Sequence, residues 1–168
     1  MTDTDRIDLR TPTVADGTAL WQLAKDSRTL DVNAPYAYLL WCRDFAATSV
    51  IAETEGRAAG FVTGYRRPHL PDTWMVWQVA VDPAWRGAGL AGRMLDHLAR
   101  RLLSLGVTHV ETSITADNEA SQRLFRAFAR RWHAAVECSE LFAESLFPGG
   151  HLAEELFRIG PLRVSQPS

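Results

Sequence analysis

Apolar and polar residues alternate with a period of two in IDLRTPT, residues 7–13, and then shift to a period near 3.6 in GTALWQLAKDSRTL, residues 17–30. The first pattern predicts a strand and the second an amphipathic helix, with Asp16 placed to cap it. APYAYLLWCRDFA keeps helical spacing after Pro35, whose fixed φ suits a first helical turn. SVIAETEG and RAAGFVTGYRRP read as two strands joined at Glu55-Gly56, a hairpin. DTWMVWQVAVD, residues 72–82, is a long and mostly apolar strand.

A glycine-bearing corner follows, and then the helix LAGRMLDHLARRLLSLG, closed by Gly106. THVETSIT predicts a strand, DNEASQRLFRAFARRW an Asp-capped helix, AAVECSELF a strand and ELFRIG a short last one. The order β-α-α-β-β-β-α-β-α-β-β indicates an α/β protein. Residues 1–5 and the tail RVSQPS fall outside this patterning and are expected to be disordered.

Composition narrows the class. A chain of 168 residues, 46% hydrophobic and 23% charged, fits one globular domain, 1–168, with an ordered core over about 6–162. A net charge of −2 gives no electrostatic footprint for nucleic acid, although Lys25 is the only lysine and every other basic residue is Arg. Cys42 and Cys138 stand far apart, without the spacing of a disulfide framework or a zinc site. No apolar run reaches the length of a signal core or membrane span, so a reducing cytoplasm is the expected location.

The corner AVDPAWRGAGLAGRML, residues 80–95, carries the chemistry. A helix N-terminus offers unpaired N–H groups and partial positive charge, and Gly87 and Gly89 permit backbone conformations that bring such groups near a phosphate. Arg86 adds a charge-assisted contact. Gly87, Gly89 and Gly92 also satisfy the dinucleotide spacing G-x-G-x-x-G. Order argues against that reading: the turn follows a fourth predicted strand after an antiparallel meander, and Glu111 lies on the next strand without a second mononucleotide half.

Arg86, Gly89 and Ala91 meet the motif Gln/Arg-x-x-Gly-x-Gly/Ala, after a strand ending in V-x-P-x-x-R. NEASQRLF matches a second motif, Asn-x-x-Ala/Ser-x-x-Leu-Tyr, at Asn118, Ser121 and Leu124. In these motifs and in element order the chain resembles the GCN5-related N-acetyltransferase (GNAT) family over nearly its whole length. The resemblance implies a central mixed, mostly antiparallel sheet, splayed between strands 4 and 5 and flanked by helices, with acetyl-CoA as co-substrate. Backbone at Val79 and Val81 would pair with the pantetheine arm, and amides near Val79 would polarise the thioester carbonyl. Gly87, Gly89, Leu90 and Ala91 would hold the pyrophosphate, with Asn118 and Phe125 also beside the cofactor.

More narrowly, LDVNAPYAYLLWCRDFA, GFVTGYRRP, VWQVAVDP, ADNEAS and FPGGHLAEELFRIGPL resemble the branch of that family that acetylates the distal amine of L-2,4-diaminobutyrate in ectoine formation. That implies a small diamino-acid partner and a homodimer, with no nucleic acid and no membrane. An acetyltransferase for another small amine or polyamine, and a non-catalytic acyl-CoA sensor, are the competing readings.

The family often has Tyr where this chain has Phe125, and that hydroxyl protonates the leaving thiolate. Here Tyr36, Tyr38 or water would do so, or the thiolate would leave unassisted. A protonated amine must first lose a proton, which singles out Asp31 in LDVNAPY and His151 and Glu154 in GGHLAEE. Asp31 and Glu154 read equally as a turn residue and a solvated charge. The catalytic candidates are Glu154, Tyr36 and His151. Asp31 and Trp77 join them as substrate contacts, although Trp77 also reads as a plain core aromatic. His151 with Glu154 is only half a metal site, so no metal is expected. Arg66 and Arg67 are candidates for a substrate carboxylate.

Overall fold

The computed structural model describes residues 6–164, so the ends expected to be disordered at residues 1–5 and 165–168 lie outside the description. Arg163 and Val164 of the predicted tail lie inside it, and the Arg163 N–H donates to Trp132 O at 2.9 Å. The order of helices and strands is the one the periodicity predicts. Two compact units are present, one formed by residues up to Tyr65 together with Trp77–Leu102, the other by Arg66–Val76 and residues from Leu103 onward.

The first unit holds β1 (Asp8–Arg10), α1 (Gly17–Ser27), α2 (Pro35–Asp44), β2 (Val50–Thr54) and most of β3 (Arg57–Arg67). It also holds the C-terminal part of β4 (Leu70–Val81) and nearly all of α3 (Leu90–Leu103). Thr54 pairs with Arg57 across a two-residue turn in which Glu55 and Gly56 have φ of 49° and 75°, the left-handed pair that matches strand twist. Leu20, Leu23, Ala24, Tyr38, Cys42, Ile51, Phe61 and Ala80 form its core cluster. Gly60 is required there by close approach, since a Cβ would lie 2.8 Å from Ala80 O.

The second unit contains the start of β4, β5 (His109–Thr115), α4 (Glu119–Arg131), β6 (Ala135–Phe142) and β7 (Glu154–Gly160). Thr73 lies opposite His109 and Val76 opposite Thr112, making β4 and β5 parallel, whereas β5–β7 and β6–β7 are antiparallel. The strands follow the order β1-β2-β3-β4-β5-β7-β6 in a seven-stranded mixed sheet.

Three termini differ from expectation. Asp16 makes no cap bond to α1; its carboxylate accepts from the Thr13 N–H at 2.7 Å and from both terminal nitrogens of Arg10 at 2.8 Å, because a 3₁₀ turn at Val14–Asp16 precedes the helix. Asn118, not Asp117, caps α4 by accepting from the Ser121 N–H at 3.1 Å, while Asp117 takes the Thr115 hydroxyl. α1 ends at Ser27, three residues early, because Arg28 enters the left-handed region at φ 57°.

Candidate active site

β4 delivers the chain to the glycine corner. Asp82 Oδ1 accepts from the Ala84 N–H at 2.8 Å, bending Pro83–Trp85 into a 3₁₀ turn ahead of Gly87 and Gly89. Those glycines adopt φ of +80° and +74°, and a Cβ at either would meet nothing within 4 Å. They are therefore there for backbone conformation, and the space beside them is open. The first-turn amides of α3, including Leu90 and Ala91, follow directly.

Arg86 is exposed and turns toward α1: its Nη2 donates to Ser27 O at 3.2 Å, one of the carbonyls left over at that helix end. Beside it lies a cleft of about 770 Å³ lined by Lys25, Asp26, Ser27, Arg28, Thr29, Pro83 and Arg86. Three cations against one carboxylate make this a surface for anionic groups.

Along β4, Val76, Gln78 and Ala80 are buried whereas Trp77, Val79 and Val81 are half-buried, so the last three share one face. Trp77 stacks on Trp41 of α2, ring centroids 4.1 Å apart, and lies 6.3 Å from the Tyr38 ring. Tyr36 is 69% exposed at the start of α2. Tyr38 is fully buried, and its hydroxyl donates to Gln78 Oε1 at 3.1 Å. A buried hydroxyl already committed to Gln78 argues against Tyr38 as the acid for a leaving thiolate, and Tyr36 or water stays as the candidate donor if the thiolate does not leave unassisted. Gln78 Nε2 in turn donates to Asp31 O at 3.0 Å. In the sequence Gln78 is marked only as a lone amide in an apolar strand, which does not name its partners.

In the second unit, His151 Nε2 lies 3.8 Å from Glu154 Oε1, and the imidazole stacks on Phe147 at 4.0 Å between centroids. Glu154 opens β7, opposite Thr115 of β5 and Phe142 of β6. Phe125 is buried on α4. Arg66 and Arg67 have other partners than a ligand. Arg66 Nε donates to Pro71 O at 2.9 Å, and Arg67 Nη1 lies 3.3 Å from the buried Glu111. Arg158 joins the same carboxylate at 2.9 Å, a contact not foreseen from sequence. Among the described residues no group of three or more His, Cys, Asp or Glu is placed to hold a metal ion, and no helix is long and apolar enough to cross a membrane.

The sequence profile of the acetyltransferase (GNAT) family matches residues 17–129. The chain belongs to the GNAT family. It is 56% identical over 154 residues to the L-2,4-diaminobutyric acid acetyltransferase of Streptomyces coelicolor, covering 90% of this chain and 91% of that one. The corresponding protein of Streptomyces avermitilis is 55% identical, with 90% and 86% covered. Among solved structures, the diaminobutyrate acetyltransferase EctA of Paenibacillus lautus, in complex with L-2,4-diaminobutyric acid and coenzyme A, superposes with a TM-score of 0.89 at 37% identity. That comparison covers 96% of this chain and 98% of the other. The sheet, the glycine corner and the Asn118-capped helix are thus those of a GNAT protein.

Proposed function

We propose that this chain transfers the acetyl group of acetyl-CoA to the distal amine of L-2,4-diaminobutyrate, the acetylation of ectoine formation. The observation that carries this reading is the likeness, at 37% identity across 96% of the chain, to an acetyltransferase held in complex with that diamine and coenzyme A. It acts as one N-acetyltransferase domain, since the family match runs through parts of both units.

The phosphates rest on the amides of Gly87–Ala91, with Arg86 beside them, and the pantetheine arm runs along Val79 and Val81, with Asn118 and Phe125 completing the cofactor contacts. Asp31 and Trp77 of the first unit and Glu154 of the second are the residues assigned to the diamine, the carboxylates to its cationic amino groups and the indole to its aliphatic chain. The paired His151 and Glu154 take the proton from the ammonium, freeing the nitrogen lone pair. Nitrogen attacks the thioester carbonyl, the C–N bond forms as the C–S bond breaks, and the thiolate takes a proton from Tyr36 or from water, which the second proton shed by the nitrogen replaces. Selectivity for the distal amine follows from holding the α-amino acid end away from the thioester.

In the same reading the enzyme is a cytoplasmic homodimer. Cys42 and Cys138 are unbridged, which fits a reducing compartment. β6 is the outer strand of the sheet, and Phe142 in it and Leu146 after it are exposed, a surface suited to a second copy. Light scattering of the purified chain tests this, and a monomer would overturn it.

Release of CoA thiol from acetyl-CoA, measured with and without diaminobutyrate and followed by NMR of the product, tests the function. Diaminobutyrate-dependent release with acetyl on the distal nitrogen is expected. Release with a polyamine alone would reassign the substrate, and binding of acetyl-CoA without turnover on any amine would make the chain a sensor.

A further inference from the structure

We propose that Gln78 and Tyr38 are a positioning pair that sets which amine the enzyme accepts. The inference rests on the assignment of Asp31 and Trp77 to the substrate.

Gln78 is a polar side chain at 6% exposure within an otherwise apolar strand. A buried amide is costly unless both of its ends are bonded. Here both are: Oε1 accepts a hydrogen bond from the Tyr38 hydroxyl, and Nε2 donates to the main-chain carbonyl of Asp31, 47 residues away in sequence. The Tyr38 hydroxyl also receives the Asn33 N–H at 3.5 Å, a long contact. Two buried side chains, one on β4 and one on α2, thus grip the segment between α1 and α2 at the backbone of Asp31 and Asn33.

That segment needs such a grip. It leaves α1 through the left-handed Arg28, and the Thr29 and Leu30 N–H groups reach Ser27 Oγ only at 3.4 Å. Gln78 is also the chain neighbour of Trp77, whose ring stacks on Trp41 and lies 6.3 Å from the Tyr38 ring. The same pair therefore fixes the backbone that carries Asp31 and the strand position that presents Trp77. The hydrogen bonds of both side chains run to each other and to the segment between α1 and α2, not to the glycine corner, so cofactor binding is separable from them.

A pair that merely fills the core would change stability when altered and leave substrate choice alone. The test uses Y38F, which deletes one oxygen, and Q78E, which keeps an acceptor for Tyr38 and, measured at a pH where it is ionised, has no proton to donate to the Asp31 carbonyl. Thermal melting, acetyl-CoA affinity by calorimetry, and kcat and KM for diaminobutyrate and for its one-carbon-longer homologue are measured on each.

KM for diaminobutyrate is expected to rise about ten- to hundredfold in both variants, with kcat within about threefold, as a displaced binding group requires. Discrimination against the longer homologue should narrow, and acetyl-CoA affinity should stay within about twofold. Because the two changes act on one network, the double variant should be no worse than the worse single. Wild-type KM and discrimination in Y38F, whatever its melting temperature, would overturn the proposal, and this variant carries the test if Q78E does not fold. A wild-type enzyme inactive on diaminobutyrate would instead remove the underlying functional reading.

Discussion

Arg158 lies directly opposite Glu111 across the β5–β7 ladder, and its Nη1 donates to Glu111 Oε1 at 2.9 Å. The carboxylate side chain is 5% exposed, with Arg67 as its second cation. Arg158→Leu would leave a buried charge with one half-exposed partner, and the expected loss is about 3 kcal/mol in urea unfolding. Glu111→Leu combined with Arg158→Leu should recover much of it. An unchanged midpoint in the single variant would show that the pair contributes nothing.

At the glycine corner, Arg86→Ala should weaken acetyl-CoA binding by roughly 1.5–3 kcal/mol, as loss of one charged phosphate contact does. Gly89→Val should weaken it as well, and the structure supplies the reason: the site is open, but a β-branched residue does not adopt φ near +74°. The helix start must then rearrange. Calorimetric affinities equal to wild type in both variants would remove the corner from cofactor binding.

Asp31→Ala and Glu154→Ala should each lower kcat/KM for diaminobutyrate roughly thirty- to thousandfold, the equivalent of about 2–4 kcal/mol for a charged partner lost from a desolvated site. Acetyl-CoA affinity should barely change. Wild-type rates in both, or acetylation mainly of the α-amine, would refute these roles.

Phe125 is 3% exposed, so Phe125→Tyr places a hydroxyl in a packed position. Turnover should stay within about tenfold of the parent, a span of about 1.4 kcal/mol, as the proposed mechanism, which draws the thiolate's proton from Tyr36 or water, requires. A much larger gain in kcat would mean that this proton limits the present enzyme.

His97 on α3 is held below the ordinary histidine range by burial and by Arg101 and Arg100, with Asp8 opposing them. Arg101 Nη2 lies 3.1 Å from His97 Nε2, an arrangement that fits a neutral ring. The unfolded chain therefore binds the extra proton more readily than the folded one. No penalty exists above about pH 6.5, and one develops as the pH falls below it. His97→Gln should flatten the stability profile over that acid limb, read as urea midpoints between about pH 7.5 and 5. The depressed Asp16 carboxyl acts lower, its stabilisation by Arg10 being lost only below about pH 4. Parallel profiles for wild type and variant would sink the assignment.

Much of this architecture is written in local periodicity. The apolar run from Asp72 to Asp82 reads as a strand and Leu90 to Leu103 as an amphipathic helix, so the corner between them is legible in the sequence. Which polar residue caps which helix was not. Asp117 and Asn118 are equivalent on composition, and the choice is made by one dihedral and by the Thr115 hydroxyl, which takes Asp117 out of competition. Arg66 and Arg67 looked available for a ligand because their partners, Pro71 and Glu111, are set by pairing of strands rather than by spacing along the chain. Gln78 was hidden for the same reason: its partners come from α2 and from the segment before it, 40 and 47 positions away.

For amine-directed labelling the chain is almost blank. Its single lysine, Lys25, stands in the cleft beside Arg86 with its ammonium 5.0 Å from the Trp21 ring centroid. An activated-ester dye therefore has one side-chain address on this sequence. The natural sequence thus provides a spectroscopic reporter at the rim of the corner, next to an indole that can quench it, with no engineered cysteine required.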